Sequence, residues 1–179
     1  MQNFVEKMLE NFSPKLSEED LQTVLEREKE AQELLEKVKD TSPEFYKKLC
    51  KLRGLLSEYW KHFLQDRYYE GFLCGVLSGT ESGGLYGGKG FAPLRGGIAG
   101  SHGEYWESRA TADADSRYDL ERLHLENSLG GEYAQIADRL DQCLSERHCM
   151  EDEAYWDEGM RTGIAVGKDA AELLGMFIK

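Results

Sequence analysis

Apolar side chains recur along the chain at three- and four-residue intervals, the spacing that lines one face of an α-helix. Residues 2–12, QNFVEKMLENF, predict a short amphipathic helix that stops before Ser13-Pro14. A second helix is expected from Ser17, because Ser-Glu-Glu-Asp offers a cap followed by acidic residues that suit the positive end of the helix dipole. Leu21, Val24, Ala31, Leu35 and Val38 form its heptad-like seam, interrupted by Glu28. A third helix is expected from Asp40-Thr41-Ser42-Pro43-Glu44, which reads as a Thr-x-x-Glu capping box with proline in the first turn. Phe45, Leu49, Leu52, Leu56, Tyr59 and Phe63 follow at helical spacing, and so short a connection predicts an antiparallel hairpin. No run alternates like a strand.

Two trios of glycine then dominate the pattern. Gly71, Gly75 and Gly79 recur every four residues in YYEGFLCGVLSG, and Gly159, Gly163 and Gly167 do so in YWDEGMRTGIAVG, 88 residues later. Each trio lies along one narrow helix face. Glycine inside a helix costs about 0.8–1.0 kcal/mol against alanine, so both trios together cost about 5 kcal/mol, which close approach of another backbone must offset. The two glycine helices are therefore expected to pack on each other, or each on the helix before it.

The correspondence is wider than glycine. Pairing residues 44–79 with 132–167 gives nine identities in 36 positions, among them Leu52/Leu140, Leu56/Leu144, Glu58/Glu146 and Glu70/Glu158. Conservative pairs include Phe45/Tyr133, Lys51/Arg139, Tyr68/Trp156, Phe72/Met160 and Val76/Ile164. This reads as an internal duplication. The expected fold is mainly α: two related helical units, 1–79 and an acidic 104–179, joined by a glycine-rich loop at 80–103.

In that loop ten of the 25 residues from Gly79 to Gly103 are glycine, and Leu85, Tyr86, Phe91 and Leu94 are its candidate anchors. Gly83, Gly88 and Lys89 satisfy GxxxxGK, but Gly90 stands where a phosphate loop needs Ser or Thr, and no buried strand precedes it. Lys89, Phe91 and Arg95 are instead candidates for contact with a partner. Residues 104–129 are read as a helix closed by Gly130-Gly131, with Asp113, Asp115 and Asp119 near its start either capping it or facing a basic partner. From Glu132 the second copy keeps its seam at Tyr133, Ala137, Leu140 and Leu144, but has Arg147 and Glu151 where the first has Tyr59 and Phe63. Glu151, Asp152, Glu153, Asp157 and Glu158, beside Tyr155 and Trp156, make the densest acidic cluster. Aromatics supply contact energy and charges supply steering, so the cluster resembles an interaction surface.

Charge sharpens that reading. The chain of 179 residues carries a formal −12. Residues 1–65 hold 13 acidic and 11 basic side chains, whereas 66–179 hold 21 and 11. Such a field disfavours direct binding of DNA or RNA and favours a basic partner. No basic-then-apolar leader opens the chain, and Arg161, Lys168, Asp169 and Glu172 would be costly in lipid, so no membrane segment is expected and the location is expected to be a bacterial host's cytoplasm. Cys50, Cys74, Cys143 and Cys149 form no CxxC pair and read as free thiols. Cys143, Cys149 and His148 lack a fourth donor at metal-binding spacing.

No catalytic constellation emerges. His62, His102, His124 and His148 are scattered, no Gly-x-Ser-x-Gly elbow occurs, and Glu30, Glu33 and Glu36 sit among lysines on a wet face. Tyr68-Tyr69-Glu70-Gly71-Phe72-x-x-Gly75 after a leucine-rich helix resembles the closing helix of small helical proteins carried by phages and mobile elements of low-GC Gram-positive bacteria; the likeness covers roughly a third of the chain. Proteins of that setting, size and acidity include anti-CRISPR inhibitors, several of which are similar in occupying a nuclease's DNA groove with carboxylates. The resemblance implies function by kind, with no residue matched to an inhibitor's contacts. The expectation is a non-enzymatic inhibitor, without cofactor or metal, of a basic nucleic-acid-handling protein such as a CRISPR nuclease with its guide RNA. The rivals are a self-associating adaptor, with glycine faces forming a homodimer, and a carboxylate-metal phosphohydrolase.

Overall fold

The computed structural model describes Leu9, Phe12 and residues 15–82, 107–128 and 131–177. The rest of the expected helix at 2–12, and the loop with Lys89, Phe91 and Arg95, lie outside the described residues. Four helices are described: α1 Glu18–Thr41, α2 Pro43–Ser82, α3 Arg109–Ser128 and α4 Gly131–Phe177. The chain is mainly α-helical, with no strand among the described residues.

Helix boundaries follow from local chemistry. Ser17 caps α1, its Oγ accepting from Asp20 N–H at 3.1 Å, with Glu18, Glu19 and Asp20 in the first turn. The junction of α1 and α2 is one residue, Ser42. Its N–H donates to Val38 O at 2.8 Å and its carbonyl accepts from Tyr46 N–H at 2.9 Å, so it ends one helix and begins the next. Pro43 fits as the first residue of α2 because no partner is needed for its missing N–H. The expected Thr41-x-x-Glu44 box does not form. Thr41 is still helical, and its hydroxyl donates back to the carbonyls of Lys37 and Val38 at 3.2 Å. Ser108 caps α3, with Thr111 N–H on its Oγ at 3.3 Å and Ala112 N–H on its carbonyl. The aspartates expected there as caps lie farther along the helix. Gly131 opens α4 rather than ending α3, and α2 continues past Gly79 to Ser82.

The chain forms two compact units, Pro14–Phe63 with Ser108–Asp152, and Met1–Ser13 with Leu64–Glu107 and Glu153–Lys179. Each draws on both sides of the glycine-rich segment, because α2 and α4 give their first parts to one unit and their second parts to the other. We call these the bundle unit and the glycine unit.

In the bundle unit, α1 and α3 run antiparallel to the first parts of α2 and α4. The ion pairs fix the directions: Glu30 meets Arg139 while Arg27 meets Glu146, and Lys51 meets Glu121 while Glu58 meets Arg117. Ala31, Leu35 and Val38 pack with Phe45, Leu49, Leu52, Leu56 and Trp60, and with Tyr118, Leu125, Ala137, Leu140 and Leu144. Leu21, expected in the α1 seam, is 50% exposed. Trp60 is buried while Tyr59 and Phe63 are half-buried, because the buried positions step by four after Leu56.

The 88-residue offset recurs in three dimensions. Helices α2 and α4 begin 88 residues apart, at Pro43 and Gly131. Phe45 packs on Tyr133 with ring centroids 4.6 Å apart, and Trp60 stacks on His148 at 5.2 Å. Lys51 and its counterpart Arg139 each pair with a glutamate of the other hairpin's shorter helix, Glu121 and Glu30. Glu58 and its counterpart Glu146 each pair with an arginine there, Arg117 at 2.9 Å and Arg27 at 2.5 Å.

In the glycine unit the two trios face each other. A Cβ built on Gly71, Gly75 or Gly79 would stand 2.2, 2.1 or 2.4 Å from the carbonyl oxygen of Trp156, Met160 or Ile164. A Cβ on Gly159, Gly163 or Gly167 would stand 2.1, 2.1 or 2.3 Å from that of Tyr68, Phe72 or Val76. Positions rise together in the two helices, so these parts run parallel and in register. Each glycine hydrogen lying where a side chain would begin points at a carbonyl oxygen. Six Cα–H···O contacts at about 0.5–1 kcal/mol each offset the helical cost of about 5 kcal/mol. Tyr68 and Phe72 are buried beside this face, with Leu9, Tyr69, Val76 and Tyr155 against them.

Gly54 provides an internal control, since a Cβ there meets nothing within 4 Å. Gly75→Ala and Gly163→Ala should each destabilise by about 3 kcal/mol, because backbone cannot yield as a side-chain tip can. Gly54→Ala should instead stabilise by about 0.5–1 kcal/mol. Urea unfolding of the three variants measures both signs.

Candidate partner-binding surface

The candidate residues fall in both units. In the bundle unit, Asp113 is exposed and pairs with Arg109 at 3.7 Å, with both side chains more than half in solvent. Such a pair contributes little. Asp115 is half-buried, and its carboxyl is raised from the ordinary range by burial and then by the charge of Asp119. Asp119 is exposed and makes no ion pair among the described residues. Glu151 is different: His148 Nδ1 lies 2.9 Å from its carboxylate, Arg147 Nε lies at 3.8 Å, and only 14% of the side chain is exposed. It is internal glue, fixed by the Trp60–His148 stack, rather than an open contact. Asp152 is half-buried.

In the glycine unit, Glu153 and Asp157 are exposed, one turn apart on α4, and neither makes an ion pair among the described residues. Like charges at that spacing repel by a few tenths of a kcal/mol. Tyr155 is not an open aromatic, since it packs edge-on against Phe12 at 4.9 Å and borders the Tyr68–Phe72 core. Trp156 is half-buried and lends its carbonyl to Gly71.

Several arginines of the bundle unit are held by carboxylates. Arg117 reaches Glu58 at 2.9 Å, and Arg122 reaches Glu126 at 3.0 Å and Asp141 at 3.2 Å. Tyr118 donates its hydroxyl to the same Asp141, and its own ionisation is pushed up, first by burial and then by that carboxylate. Arg139 grips Glu30 through two bonds, 2.6 and 2.8 Å, and holds that carboxyl below its ordinary value.

Two features were not read from periodicity. Helix α3 buries Tyr118 and Leu125 yet leaves Leu120 and Leu123 at 58% and 53% exposure. Trp60 and His148 stack, a pair that the 88-residue shift itself would have named. The four cysteines are free, Cys143 buried and Cys149 exposed. Among the described residues no group of three or more His, Cys, Asp or Glu side chains could hold a metal ion, and no helix is long and apolar enough to cross a membrane. Comparison of the chain with protein-family models, with curated proteins and with solved structures finds no match in any of the three.

Opposite shifts give opposite pH effects. Glu30 has a lowered folded value, so its contribution is present above the ordinary carboxylate range and is lost as pH falls through that value. Arg139→Gln should therefore destabilise at pH 7 and much less near pH 3. Asp115 has a raised folded value, so it costs stability as pH rises through that window. Asp115→Asn should stabilise at pH 7 and lose the gain in acid. Denaturant unfolding at both pH values tests the pair.

Proposed function

We propose that the chain is a non-enzymatic inhibitor of a basic nucleic-acid-handling protein, with an RNA-guided CRISPR nuclease and its guide RNA as the concrete case, acting in a bacterial cytoplasm. The observation that carries this reading is the exposure of Asp119, Glu153 and Asp157 without ion-pair partners among the described residues, while Arg117 and Arg122, close to Asp119 on α3, are paired with Glu58 and Asp141. Unpaired carboxylates on rigid helices can take the place of phosphates in a basic groove. We read the 88-residue correspondence as descent from a doubled helical hairpin whose second copy acquired the acidic surface. Glycine-mediated self-association is the weaker reading, since the two glycine faces occupy each other within the chain.

The test is target-DNA cleavage by a panel of guide-loaded CRISPR nucleases. The wild-type chain should inhibit at least one, and the triple variant Asp119→Lys, Glu153→Lys, Asp157→Lys should lose about tenfold or more in potency while unfolding normally. Undiminished potency would remove the phosphate-mimic mechanism. Failure of the wild-type chain across the panel would remove the nuclease reading.

A further inference from the structure

We propose that the outer face of α3, centred on Leu120 and Leu123, docks a basic amphipathic helix of the protein that this chain binds. The inference rests on the reading of a basic partner and identifies which surface meets it and by what chemistry. Helix α3 is inverted in its use of leucine: it buries Leu125 and turns Leu120 and Leu123, one turn apart, to solvent. Single exposed leucines are ordinary on protein surfaces, but a helix with so small a buried face gains stability by turning such residues inward. On the helical wheel Asp113, Ser116, Leu120 and Leu123 form one stripe at steps of three, four and three. Asp119 and Glu126 flank Leu123 at four and three residues. Glu126 is held by Arg122 at 3.0 Å, whereas Asp119 has no ion-pair partner among the described residues; Arg117 pairs with Glu58 on α2 and Arg122 also with Asp141 on α4. The result is a short apolar strip on a rigid helix with one unpaired carboxylate, Asp119, along one edge, complementary to apolar anchors beside a Lys or Arg on a facing helix.

A second copy of the chain does not fit this face. The chain carries −12, and the unit's other exposed leucines, Leu21 and Leu25, lie among Glu18, Glu19, Asp20 and Glu26, so pairing the two strips would set carboxylate against carboxylate.

The experiment titrates the isotope-labelled full chain with a synthetic amphipathic helix of leucine and lysine, followed by backbone amide NMR. Shifts should concentrate at 113–127, and Leu120→Gln with Leu123→Gln, both exposed and replaced by a helix former, should weaken binding about tenfold or more. A control peptide with alanine in place of leucine should bind at least tenfold more weakly. Equal binding by that control, equal binding by the double variant, or shifts confined to other helices would overturn the assignment. The outcomes separate from those of the inhibitor reading. If the wild type and the Leu120/Leu123 variant inhibit a nuclease equally, this face is not the contact and the inhibitor survives. If the peptide docks as described but no nuclease is inhibited, the face stands and the nuclease reading falls.

Discussion

Contact between two backbones, made possible because glycine has no side chain, is the constraint on which the glycine unit depends. Helices with ordinary side chains at the contact keep their axes about 8–10 Å apart. Here the second parts of α2 and α4 approach until glycine hydrogens meet carbonyl oxygens at six positions. An arrangement of that kind tolerates no slip, since a shift of one residue would drive a side chain such as Phe72 or Met160 into the opposing backbone. Register is therefore set by exclusion as much as by attraction. The buried Tyr68 and Phe72 then supply the apolar contacts that glycine cannot.

The bundle unit meets the same 88-residue register by different means. Leucine pairs, a Phe45–Tyr133 contact and a Trp60–His148 stack occupy equivalent positions in the core, while reciprocal ion pairs tie each long helix to the other hairpin's short one. The two stretches differ where the second has Arg147 and Glu151 in place of Tyr59 and Phe63. There the aromatic packing of α2 is replaced on α4 by charges that find partners in Glu28 and His148. Positions related by the 88-residue shift thus carry different chemistry, aromatic on α2 and paired charge on α4.

That internal accounting is what distinguishes one carboxylate from another. Glu30, Glu58, Asp141, Glu146 and Glu151 all hold the structure together through arginine or histidine. Asp119, Glu153 and Asp157 make no such pair among the described residues, and Asp115 is burdened first by burial and then by the charge of Asp119. In the proposed reading the carboxylates outside that network are the ones that meet a partner, with Leu120 and Leu123 adding an exposed apolar element on α3. Acidity by itself would give attraction without a register, which in the docking proposal the two leucines on a rigid helix supply.

Sequence alone determined the helical class, the Ser17 cap, the glycine faces and the 88-residue offset, because each rests on local spacing or on identity between two stretches. The one-residue turn at Ser42 was not legible, since Thr41 and Ser42 are both capping residues and only the packing of α1 on α2 selects between them. Nor was the division into units, because α2 and α4 carry apolar positions without a break from one unit into the other. Period also cannot say which of two apolar stripes turns inward, so Leu125 and Leu120 looked alike until Tyr118 and its hydroxyl bond to Asp141 oriented α3. The same holds for Glu151, whose neighbours in the chain are acidic and whose actual environment is a histidine held flat against a tryptophan 88 residues away. Local rules reach one turn of helix along the chain; which face is covered and which charge is answered depends on groups brought together from afar, and only the tertiary structure decides that.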